Sequence, residues 1–160
     1  MSEHITMAGI STRMAGQDNL ATLEPIFIVQ QKRRIYGLDP NWSDHLAWLW
    51  DGSEVATNEK ELEAVLREND MSQEEAEESG VLVQTGYLDT WVFVQPFFSA
   101  KGAEAYIESN RHNLQEPRVY VGSAYRNDEW QAVRSELLSL EKRSCFRVVK
   151  QVGEDGNPFG

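Results

Sequence analysis

The sequence predicts an α+β fold: a single domain with a mainly antiparallel sheet covered by helices. Three observations lead there. Short β-branched and aromatic runs come in close pairs. Helical stretches of moderate length separate them, in the order β-β-α-(α)-β-β-α-β-α-β. The chain of 160 residues is long enough to bury a core and shows neither an internal repeat nor a domain linker. The reading divides the chain into a flexible tail over 1–24, one α+β domain over 25–150 with an acidic helical excursion at 57–80, and a tail over 151–160.

The elements follow from local pattern. Ile26–Val29, resumed by Ile35 and Tyr36, read as a strand across Pro25–Asp39. Gly37, Pro40 and the Asn/Ser/Asp cluster form a loop. His45–Trp50 is a second strand, ended by Asp51–Ser53. Thr57–Asp70 is a helix capped by Thr57 or Asn58, with Leu62, Val65 and Leu66 as its buried stripe. Ser72–Gly80 makes a short, exposed helix ending at Gly80. Val81–Phe98 reads as two strands with a turn near Leu88–Thr90. Ser99 caps a helix to Asn110, Pro117–Ala124 is a strand, and Asn127 caps the strongest helix, to Arg143. Cys145–Lys150 reads as a last strand.

Composition narrows the functional classes. A net charge of −11 disfavours direct nucleic-acid binding, which rests on Lys and Arg neutralising phosphate. The one cysteine excludes an intrachain disulfide and fits a reducing cytosol. No apolar run reaches the roughly 20 residues of a membrane span, and the polar N-terminus does not read as a secretory signal. Neither a membrane partner nor a cofactor is expected, and a homo-oligomer stays open.

The charge is concentrated. Glu59–Glu78 holds nine acids and two bases, whereas Ala100–Lys150 holds nine bases and seven acids. A solvated helical face is the simpler reading of the acidic run. The sharper one is a surface of Glu59, Glu63, Asp70, Glu74, Glu75, Glu77 and Glu78 that competes with nucleic acid for a basic groove on another protein. The bases of Gln30–Arg34 point to alternating faces of a strand, and structure or solubility is the simpler reading beside a specific anion site.

No metal-ligand spacing and no phosphate-binding or nucleophile glycine motif is present, so an enzyme is not expected. Cys145, between Arg143 and Arg147, and His112 are the residues a small enzyme would use. The alternative ligand site is Arg111, His112, Arg118, Tyr125 and Arg126, which would hold a nucleotide or nucleic acid if the turn after the Ser99 helix lies beside the Asn127 helix. Capping by Asn110 or Asn113 and by Asn127, with the first-turn acids Asp128 and Glu129 repelling an anion, competes with that reading. Of the five tryptophans, Trp42 stands in a polar loop and is the one expected at a partner surface.

Three phrases, VQQKRRIYGLD, GYLDTWVFVQPFFSAKGAEAYI and HNLQEPRVYVGSAYRNDEWQAVRSELL, resemble a group of small bacteriophage and prophage proteins. The likeness covers Ile26–Leu140 and is clearest from Phe97 onward. It implies a phage product acting in the bacterial cytoplasm, without transferring an activity or a site. The expectation is a non-enzymatic anti-defence inhibitor that binds a host protein, such as a CRISPR effector or other nucleic-acid-binding complex, through the acidic face.

Overall fold

Pro25–Leu38 forms one long strand, β1. In its first half Pro25, Phe27 and Val29 are buried while Ile26 and Ile28 are half-buried, the period of two of a strand with one packed face. The structure, a computed structural model, describes residues 4–20 and 22–154, with side chains described through residue 143. Strands β2 (Leu46–Trp50), β3 (Ser53–Ala56), β4 (Leu82–Phe97) and β5 (Arg118–Ser123) complete a five-stranded sheet ordered β3-β2-β4-β1-β5. The sheet is antiparallel. With helices α1 (Met7–Ala15), α2 (Glu59–Glu68), α3 (Gln73–Glu78), α4 (Ala100–Asn110) and α5 (Asp128–Glu154), the fold is α+β, as the sequence predicts.

Two compact units divide the chain: Lys32–Trp91, and Met1–Gln31 with Val92–Gly160. In the first, Asp51 and Gly52 both take positive φ (48° and 80°) and turn β2 into β3, the backbone of a two-residue hairpin. Ala56, Leu62, Ala76 and Leu82 are the core, with Trp48, Trp50 and Leu66 packed against it. The fully buried Ala76 lets a six-residue helix with four acids dock by one methyl group.

In the second unit β1 pairs with β5 from Pro25↔Ser123 to Gln30↔Arg118. Phe27, Val29 and Ala103 form the core with Val94, Phe97, Tyr106 and Ile107, so α4 packs on the odd-numbered face of β1. Phe98 stacks on Trp130 at 4.1 Å. Helix α1 lies along α5: the backbone N–H of Glu141 donates to Ser11 Oγ and the Thr12 hydroxyl to Glu141 Oε2, each at 3.1 Å. Met14 and Leu137 are buried.

The structure corrects four readings. The segment read as a tail over 1–24 carries α1, capped by Thr6 Oγ1. Its apolar signal is weak because Ser11 is one of its two buried side chains. Leu88–Thr90 is not a turn, and β4 runs unbroken for 16 residues, because Asp89 is held within the strand by Arg34. The segment 145–150 is helix rather than strand, and α5 runs to Glu154, beyond the domain end set at 150. Nothing between Asp128 and Val152 breaks it: the segment has no Gly or Pro. Finally, β3 answers to no element of the sequence reading, which ends the second strand at Asp51–Ser53, although Asp-Gly between apolar runs is a hairpin signal.

One close approach fixes the loop between β1 and β2. A Cβ on Gly86 would lie 2.5 Å from Ser43 Cβ, 2.7 Å from Ser43 Oγ and 3.0 Å from the Leu38 carbonyl oxygen. Gly86→Ala should therefore cost about 1–3 kcal/mol through overpacking, measured as a lower urea midpoint. An unchanged midpoint would mean that the loop yields.

Candidate functional site

The acidic surface lies on α2 and α3. Asn58 caps α2 by accepting from the Glu61 N–H at 3.0 Å, and the Glu61 carboxylate accepts from Thr57 N at 2.8 Å. Leu62 is buried, while Glu59 in the first turn and Glu63 are exposed. The chain leaves α2 through Asp70 at φ 51°, in the left-handed region, and Met71 N donates back to the Leu66 carbonyl. Ser72 then caps α3 reciprocally with Glu75: Glu75 N donates to Ser72 Oγ at 3.2 Å, and Ser72 N to Glu75 Oε2 at 3.0 Å.

Glu59, Glu63, Asp70, Glu74, Glu75, Glu77 and Glu78 are all exposed. Among the described residues no ion pair joins any of them. Their roles nevertheless differ. Glu75 is tied to the helix cap, and Glu77 accepts from Gln73 Nε2 at 2.8 Å. Backbone N–H donation from Thr57 and Ser72 holds the Glu61 and Glu75 carboxyls below their ordinary pKa. These two acids fix the helices, whereas Glu59, Glu63, Glu74 and Glu78 carry charge alone.

The unit Lys32–Trp91 has five bases and fourteen acids, a net of −9, while the rest of the chain has ten bases and twelve acids. One guanidinium in that unit serves two carboxylates. Arg34 binds Asp89 through Nε at 2.7 Å and Nη2 at 2.9 Å, and Glu54 through Nη1 at 2.9 and 3.0 Å. It lies 3.9 Å above the Tyr87 ring centroid. The Tyr36 hydroxyl donates to Glu54 at 2.8 Å and Lys32 is 3.7 Å from Asp89. Hydrogen bonds from Arg34 hold the Asp89 carboxyl below its usual range, and the same contact raises the pKa of Arg34. Burial, then the bond to Glu54, raises Tyr36. The basic patch is therefore structural. Sequence reading missed its partners because Asp89 lies 55 residues away.

The alternative site does not converge. Arg111 and His112 follow α4 in a short 3-10 turn, with Arg111 3.5 Å from Glu108 and His112 Nε2 3.0 Å from Asn113 Nδ2. Arg118 donates to Gln30 Oε1 at 3.0 Å. Tyr125 and Arg126 are exposed and follow the far end of β5, which spans roughly 17 Å from Arg118 to Ser123 at the rise of a strand. Asn127 caps α5 by accepting from Trp130 N. The Cys145 side chain lies outside the described residues.

Among the described residues, no three His, Cys, Asp or Glu side chains gather as a metal site, and no helix is long and apolar enough to cross a membrane. A cleft of about 680 Å³, lined by Ile5, Arg13, Phe97, Phe98 and Tyr106 among others, opens in the unit that holds α4. No protein-family model, curated protein or solved structure matches the chain.

Two outcomes follow. Asp70→Gly should stabilise the protein by about 1 kcal/mol, since glycine accepts the left-handed backbone and removes an acid from a helix C-terminus; chemical denaturation measures it, and a loss of stability would mean that the Asp70 carboxylate contributes a contact of its own. Asp89, Glu61 and Glu75 are depressed carboxyls, so their stabilisation is complete above the unfolded carboxyl pKa of about 4 and is lost as pH falls through the folded values. The melting temperature should hold from neutral pH to about 5 and then drop. Asp89→Asn should lose about 1 kcal/mol at neutral pH and show a shallower acid drop; an unchanged acid profile would show that the Arg34 contact contributes nothing.

Proposed function

We propose that this protein is a non-enzymatic binding protein whose α2–α3 face occupies the basic groove of a nucleic-acid-handling protein and inhibits it. The observation that carries the reading is the run Glu59–Glu78: nine acids against two bases, on two capped helices, with no ion pair to any of these acids among the described residues. A fixed, uncompensated field of one sign raises association with a basic partner and excludes acidic ones. Two features give the field its geometry. The capping bonds hold the helix starts, and Leu62 and Ala76 set which sides face solvent. The resemblance of three phrases to phage proteins supports a partner from a bacterial cell, such as a CRISPR effector or another nucleic-acid-binding complex.

The test is capture of a partner by the tagged protein from nuclease-treated bacterial lysate, with low- and high-salt washes. A stoichiometric basic protein that weakens with salt is expected. Glu74→Lys, Glu77→Lys and Glu78→Lys together should reduce its affinity at least about tenfold, with the melting temperature preserved because Glu75 and its cap are left intact. Undiminished binding by this folded variant would remove the acidic face from the interface.

A further inference from the structure

Trp42 is 88% exposed, while Trp48, Trp50 and Trp130 are half-buried and Trp91 is 38% exposed. A free indole presents roughly 200 Å² of largely apolar surface to water, from which the fold gains nothing. The turn that carries it is nevertheless built with care. Asp39 accepts from Asn41 N at 2.9 Å and from Asn41 Nδ2 at 3.0 Å, and Trp42 N donates to the Asp39 carbonyl at 3.1 Å. Pro40 opens the 3-10 turn Pro40–Trp42 and presets its φ. Ser43 Oγ donates to the His45 carbonyl at 2.8 Å, and the His45 ring stacks on Tyr87 at 5.3 Å. The side chain of Ser43 sits against Gly86, where no Cβ would fit. The backbone under Trp42 is thus pre-organised, and little further order is lost if the ring is seated elsewhere.

Its surroundings specify what would seat it. Asp39 and Asp44 flank the turn, both exposed, and no base lies between Gly37 and Asp44. The unit around it carries a net charge of −9. An aromatic ring between carboxylates has the chemistry of an unstacked base between phosphates.

We infer that Trp42 is the anchor of the interface, and that its partner is a protein with an apolar or aromatic-walled pocket rimmed by Lys or Arg, of the kind that holds a base of single-stranded nucleic acid. This rests on the reading of the acidic face above and adds a residue and a pocket to it. The carboxylates supply long-range attraction, and the indole supplies the desolvated contact that holds the complex.

The experiment places a benzophenone amino acid at position 42 of the full chain, and in a second preparation at position 77, and irradiates each in nuclease-treated bacterial lysate. Both are expected to give one dominant adduct with the same basic protein, and excess oligothymidylate should suppress the adduct from position 42. In a titration with that protein, Trp42→Ala should weaken binding roughly thirtyfold without changing the salt dependence, and the melting temperature should be unchanged. An adduct from position 77 but none from position 42 would overturn the anchor and leave the acidic face standing. Adducts from neither would overturn both. An adduct at 42 that survives excess oligothymidylate would overturn the base-pocket assignment.

Discussion

The unit Lys32–Trp91 has to fold with fourteen acids and five bases. Self-repulsion on that scale opposes compaction, and the structure meets it in three ways. Arg34 spends one guanidinium on Asp89 and Glu54, and Tyr87 lies beneath it, so the carboxylates nearest the sheet are neutralised. Glu61 and Glu75 are turned onto backbone N–H groups at helix starts, where the dipole favours negative charge. The remaining acids project into water, where screening reduces their repulsion. Leu62, Ala76 and Leu82 can then form a small core although the sequence around them is polar.

Legibility in the sequence divides along the same line between local and distant causes. The caps at Asn58, Ser99 and Asn127 could be read because a cap is a contact across three residues. The α+β class followed from the alternation of strand and helix patterns. Two of the failures depended on a partner far along the chain. Asp89 looks like a turn former until Arg34 is placed beside it. Helix α1 looks like a tail until α5 supplies Glu141 for Ser11 and Thr12. The candidate acids were legible as an exposed face, and the Ser72-x-x-Glu75 spacing of the capping box is a local signal that the sequence reading did not use. The cluster from Arg111 to Arg126 failed for a geometric reason: strand β5 separates its members by its own length.

The division of charge bears on function more than the total does. A net of −11 spread evenly would give solubility and little else. Here −9 resides in fewer than half of the residues, and the rest of the chain is nearly balanced. Helices, unlike loops, hold such charges at fixed spacing, and fixed spacing distinguishes recognition of a groove from general repulsion of anions.

The local costs in this unit argue that its surface is more than a solvated face. Asp70 occupies a left-handed position that glycine would fill with less strain, and it adds negative charge where a helix dipole is already negative. Trp42 leaves an indole in water on a turn held by side-chain and backbone hydrogen bonds. A sequence shaped only for stability and solubility would relieve both at once, since glycine at one position and a polar residue at the other disturb no buried contact. Their joint presence on the acidic unit fits the proposal that this unit is shaped by what it binds.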